Sequence, residues 1–141
     1  MTIESEQGLE RFLDAQRAVF DQVEQELAAG RKRSHWMWFI FPQLRGLGSS
    51  ATSHYYGIAD LSEARSYLAH AVLGPRLIKC TSLVLAHSEQ KPQTIFGGVD
   101  AMKFHSSMTL FEAAGDNPVF GDAIEAFFGS RRDGGTLALL A

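Results

Sequence analysis

Ser34-His35-Trp36-Met37-Trp38-Phe39-Ile40-Phe41-Pro42 is the stretch on which the fold class turns. Its centre, Trp36 to Phe41, is six apolar residues with no polar face, so it is either a buried strand or a short buried helix. Periodicity does not separate the two, but the neighbours do. Ser34 is suited to cap a helix beginning at His35, Pro42 pushes the residue before it out of the helical region, and no other segment offers a strand to pair with. The stretch is read as a buried helix and the protein as all-α.

Upstream, Leu9, Phe12, Leu13, Val19, Phe20, Val23 and Leu27 fall on one helical face, with Glu10, Asp14, Arg17, Asp21 and Glu24 opposite. This predicts one amphipathic helix from Leu9 to Leu27. Gln16 falls in the inward series, so its amide needs buried partners. Gly30 supplies a left-handed C-terminal stop, and Arg31, Lys32 and Arg33 follow at the negative end of the helix dipole.

Downstream, Arg45 to Ser50 reads as a flexible turn, and Asp60 with Glu63 has the spacing of a capping box before Leu61, Ala64, Tyr67 and Leu68. Pro75 sits early in the next helix, which ends near His87, and Lys91-Pro92-Gln93 is a loop. Asp100 is expected to cap a helix with the inward stripe Ala101, Phe104, Met108 and Phe111. Asn117-Pro118 opens a further helix with the stripe Phe120, Ile124, Phe127 and Phe128, closed by Gly129. A last helix from about Thr136 would lay Leu137 and Leu140 on the core. The expectation is a single domain over residues 1–141, with about six or seven helices and buried central ones.

Composition narrows the function classes. The chain has 141 residues, 13 Lys+Arg against 16 Asp+Glu for a net charge of −3, and 11% aromatics, too many for a disordered inhibitor or linker. No apolar run approaches the roughly 20 residues of a membrane-spanning helix, and the acidic balance disfavours phosphate-backbone binding, so neither membrane nor nucleic acid is the expected partner. Without a visible secretory signal, and with Cys80 the lone cysteine, a reducing cytoplasm is the expected compartment. The histidines lack i, i+4 pairs and no dinucleotide fingerprint or nucleophile elbow occurs, so no metal or cofactor is predicted. Chains of this size commonly pair through an apolar edge, which leaves a homodimer open, but nothing marks the patch.

Two clusters can carry chemistry. Lys32, Ser34 and His35 precede the aromatic run, and Gln43 and Arg45 follow it. The bland reading is that Ser34 caps, His35 bonds a carbonyl and the basic triplet is solvated. Asp100, Lys103 and Ser107 share a stripe at spacings of three and four, so a lysine beside apolar side chains could activate a serine. The bland alternative is a surface ion pair. Gly97-Gly98 and Gly134-Gly135 precede helices and suit either turns or anion contacts.

The strings Gly30 to Leu44, Gly46 to Ser50, Tyr56-Gly57-Ile58, Glu63 to Leu68, Gly74 to Leu77, Ile95-Phe96-Gly97 and Asp100 to Phe111 resemble the bacterial family called domain of unknown function 1810. The resemblance covers almost the whole chain and implies a mainly helical fold with buried central helices, but no activity. The label calpastatin, sometimes attached to such sequences, does not suit periodic apolar stripes, because calpain-inhibiting segments are disordered. Within the shared strings, Gln16, Lys32, Ser34, His35, Gln43, Asp100, Lys103, Ser106, Ser107, Thr109, Asp133 and Thr136 are polar and stand beside Trp36 and Trp38.

The expectation is that these groups converge on an indole-walled pocket for a small anionic or nucleotide-like metabolite. His35, Lys103 and Ser107 are then the candidate catalytic groups. Lys32, Trp36, Trp38, Gln43, Asp100, Ser106, Asp133 and Thr136 are the candidate ligand contacts. The alternative is a non-catalytic interaction module in which the same groups only satisfy buried backbone.

Overall fold

The amphipathic stretch at the N-terminal end folds as two helices rather than one, α1 (Ile3–Arg17) and α2 (Phe20–Ala28). The computed structural model describes residues 3–141. The break falls where Val19 leaves helical geometry (φ −122°, ψ −5°) and its N–H bonds Gln16 O at 3.1 Å. α1 packs on α3 (Met37–Ile40) and α5 (Leu61–Ala69), whereas α2 packs on α6 (Leu73–Leu85). A straight rod would not serve both neighbours.

The decisive stretch is helical, but shorter than expected. α3 spans Met37–Ile40 only, and Ser34 does not cap it: Trp36 stands at the N-cap without a side-chain cap bond. The Ser34 hydroxyl donates to Glu26 instead. Pro42 ends the helix as expected, and Gln43 and Arg45 then pair by backbone with Ile58, as Ile58 N–H bonds Gln43 O at 2.9 Å and Arg45 N–H bonds Ile58 O at 2.8 Å.

Ten helices are described, against the predicted six or seven. The long helix splits, and two short ones add to the count. α4 (Ala51–Tyr56) is capped by Ser50, and α7 (Pro92–Phe96) starts at Pro92, in the stretch expected to be a loop. Among the described residues no strand forms beyond the isolated bridge Leu44–Ile58. Asp60 caps α5 by accepting from Glu63 N–H, while Glu63 accepts from Ala59 N–H at 3.0 Å and pairs with Arg11 at 2.9 Å.

α8 (Gly98–Ala114) is the central helix and touches α5, α7, α9 (Val119–Phe128) and α10 (Gly134–Leu140). Its stripe Ala101, Phe104, Met108 and Phe111 is buried as expected, in one apolar cluster with Trp36, Phe41, Tyr67 and Phe120. Asp100 is not its cap; the helix begins two residues earlier, after Gly97 at φ +83°. On α10, Leu140 packs on the core but Leu137 is exposed, contrary to the predicted pairing. Gln16 is 1% exposed, and its amide donates to Phe39 O (2.8 Å) and Tyr67 Oη (3.1 Å) and accepts from Arg76 (3.2 Å). Cys80 is a free, buried thiol of α6, pushed up to about 12 chiefly by its burial.

Candidate functional site

The positioning of the site begins at Glu26. Gly30 turns the chain at φ +73° after α2, and the next residues cross the carboxylate of Glu26. Its Oε1 accepts from Arg33 N–H (2.6 Å), Ser34 N–H (2.8 Å) and the Trp36 indole N–H (3.0 Å). Its Oε2 accepts from Ser34 Oγ (2.6 Å) and Gln22 Nε2 (2.8 Å). Burial raises the carboxyl's pKa, but the bonds from Ser34, Arg33 and Gln22 outweigh it and hold it at about 2. Lys32 N–H bonds Ile95 O at 2.8 Å, which ties the same segment to α7.

That anchoring directs Lys32 and His35 toward the first turn of α8. Lys32 Nζ lies 2.8 Å from Asp100 Oδ2, and Lys103 Nζ lies 3.1 Å from Asp100 Oδ1. Burial pushes the Asp100 carboxyl up, yet the two lysines together hold it below the usual carboxylate range. Lys103 Nζ also sits 3.8 Å from the Trp38 ring centroid, a cation–π contact on α3. One carboxylate thus bridges two ammonium groups, and this unit carries one net positive charge.

At the other end, Asp133 caps α10. Its Oδ2 accepts from Thr136 N–H (3.0 Å) and Thr136 Oγ1 (2.7 Å), and Ser106 Oγ stands 3.2 Å away. The Asp133 N–H bonds Thr109 Oγ1 at 2.9 Å, so the cap is fixed to α8 through both backbone and side chain. Oδ1 of Asp133 has no partner among the described residues.

Between these ends lies a cleft of about 270 Å³ whose wall includes Trp38, Gln43, Leu47, Met102, Lys103 and Asp133. A smaller compartment of about 90 Å³ shares Trp38 and Lys103 with it as lining residues and is lined also by Lys32, His35 and Asp100. The structure therefore brings together Lys32, His35, Trp38, Gln43, Asp100, Lys103, Ser106 and Asp133, from three distant parts of the chain.

It does not bring in the rest. Trp36 is 1% exposed with its indole N–H on Glu26, so the pocket has one indole wall rather than two. Thr136 is fully buried as Asp133's partner. Ser107 is also sealed, and its Oγ has no hydrogen-bond partner among the described residues; Lys103 bonds Asp100 rather than Ser107, so the expected serine–lysine pair does not form. Among the described residues no cluster of His, Cys, Asp and Glu could hold a metal ion.

Sequence reasoning missed Glu26 and the apolar rim. Glu26 lies next to the inward Leu27 and three residues after Val23, a position where a carboxylate needs donors. Val99 and Met102, exposed at 69% and 72%, precede Lys103 and Ser106 by four, so 99, 102, 103 and 106 form a third stripe on α8. The two stripes read from the sequence, Ala101 to Phe111 and Asp100 to Ser107, left it out.

Fold and cleft together define an all-helical protein with a tryptophan-walled, two-ended cavity. The chain belongs to the family described as "Protein of unknown function (DUF1810)", whose model matches residues 6–140. It is similar to the conserved hypothetical protein Rv1873 from Mycobacterium tuberculosis, known from its crystal structure, at 51% identity and a TM-score of 0.92, covering 94% of this chain and 95% of that one. No curated protein matches the sequence.

Proposed function

We propose that the protein binds a small anionic or nucleotide-like metabolite in the Trp38 cleft. The observation that supports this reading is convergence: residues 32–48, 99–106 and 133–135 line two neighbouring pockets that share Trp38 and Lys103, one with apolar sides and Asp133, the other with Lys32, His35 and Asp100. Gln43 adds an amide whose side chain has no partner among the described residues, while its backbone is fixed by Ile58. Lys103 is paired with Asp100 and lies on the Trp38 indole face, where it can meet an anion. Any processing of the ligand would fall to His35, which lines the smaller compartment.

Thermal-shift screening of nucleotides, sugar phosphates and amino-acid derivatives, with tryptophan fluorescence as second readout, tests the reading. A ligand should raise the wild-type melting temperature and fail to do so for Lys103→Met, whose own melting temperature should stay within about 3 °C of wild type, because Asp100 keeps its pairing with Lys32 at 2.8 Å when Lys103 is removed. A large destabilisation by Lys103→Met with silence across the panel would sink it. The competing reading, an interaction module, is favoured by Val99 and Met102, which leave apolar side chains exposed on the cleft rim. A ligand-free panel would leave that reading standing.

A further inference from the structure

The cleft's two ends differ in what they can accept, and that difference narrows the ligand. We propose, building on the binding reading above, that the ligand is a nucleotide whose base presents an N–H donor to Asp133 and whose phosphate enters the compartment of Lys32, His35 and Lys103.

The phosphate end follows from volume and charge. The compartment is small, about 90 Å³ against about 270 Å³ for the cleft, so it suits a compact oxyanion better than a ring. Two ammonium groups share one carboxylate there, so an arriving anion meets a net positive charge. Asp100 keeps both lysines in place before the anion comes.

The base end follows from hydrogen-bond bookkeeping on Asp133. Thr136 N–H and Thr136 Oγ1 converge on Oδ2 and fix the plane of the carboxyl. Ser106 Oγ has a single proton and two acceptors in reach, Met102 O at 3.1 Å and Asp133 Oδ2 at 3.2 Å. Asp133 lines the cleft, and its Oδ1 accepts no hydrogen bond from the described residues. A carboxylate oxygen without a donor selects an N–H over a carbonyl. Between the ends, the indole and the apolar side chains of Leu47 and Met102 suit a flat ring.

The test uses four probes on the intact protein: AMP, adenosine, purine riboside 5′-monophosphate (no amino group), and inorganic phosphate. Wild type should bind AMP at least about tenfold tighter than adenosine, and at least about tenfold tighter than the desamino nucleotide, each loss being one charge-assisted contact. Phosphate alone should bind most weakly and compete with AMP.

Asp133→Asn separates the base end from the cap. Asparagine caps helices as well as aspartate does, and both Thr136 donors demand an acceptor at the Oδ2 position, so the amide oxygen takes that place and its NH2 takes the Oδ1 place. The variant should melt within a few degrees of wild type, yet its preference for AMP over the desamino nucleotide should fall to within about twofold. Equal wild-type affinity for those two nucleotides would overturn the inference, as would a preference that survives in Asp133→Asn. Binding of a different metabolite that Lys103→Met abolishes would overturn this inference and leave the cleft reading intact, whereas silence from every probe and every metabolite would overturn both.

Discussion

Glu26 and Ser107 are both buried polar side chains, and they are expected to behave oppositely on substitution. Glu26→Ala would leave two backbone N–H groups, a hydroxyl and an indole N–H without their acceptor, and should cost about 3 kcal/mol, read as a melting-temperature loss of roughly 10 °C. Glu26→Gln keeps one acceptor oxygen and should lose far less. Because the folded carboxyl sits at about 2, below its unfolded range, its contribution is complete above that range and disappears as pH falls toward 2. The stability gap between wild type and Glu26→Gln, followed by thermal melts from pH 6 to pH 2, should therefore close in the acid limb. Ser107→Ala removes a hydroxyl that has no partner, so it should be neutral or slightly stabilising and leave ligand binding untouched. A loss of binding in Ser107→Ala would revive the nucleophile that the geometry has set aside.

At the scale of elements, helix ends carry most of the specification. Gly30 and Gly129 both close helices with positive φ, +73° and +59°. At Gly30 an added Cβ would stand 2.8 Å from His87 Nδ1, whereas at Gly129 nothing lies within 4 Å. Gly30→Ala should thus combine strain with a clash and lose about 2 kcal/mol or more, and Gly129→Ala about 1 kcal/mol, measured by urea unfolding. These ends were legible in the sequence, as were the inward stripes of α8 and α9 and the Asp60 cap, because each rests on local chemistry of three to five residues. The break at Val19 was not legible: the apolar spacing runs straight through it, and only the separate partners of α1 and α2 require it. Ser34 failed as a cap for a related reason, since a carboxylate eight residues earlier in the chain is a stronger partner than a backbone N–H. α4 and α7, of six and five residues, are too short to show a period. Of the site, the residue types and their membership in shared strings could be read, but which of the two tryptophans would be sealed depended on Glu26, whose role no spacing announces.

On the scale of the whole molecule, the cleft is a tertiary object. Trp38, Lys103 and Asp133 are far apart in the chain and meet only when α3, α8 and α10 are all docked. A ligand held by all three stabilises the folded state as a unit, by an amount set by its concentration relative to its dissociation constant. Cys80 offers an independent measure of that state. Its thiol is fully buried and its pKa is pushed up by that burial, so alkylation by iodoacetamide at pH 8 should be slow in the native protein and fast after unfolding in guanidinium.

The solitary sulfur on α6 consequently works as a stopwatch. Each transient opening of the helical core gives a reagent one chance to mark the chain, so the marking rate counts openings without any added probe. An occupant seated against Trp38 should slow that clock by the same factor by which it favours the closed form.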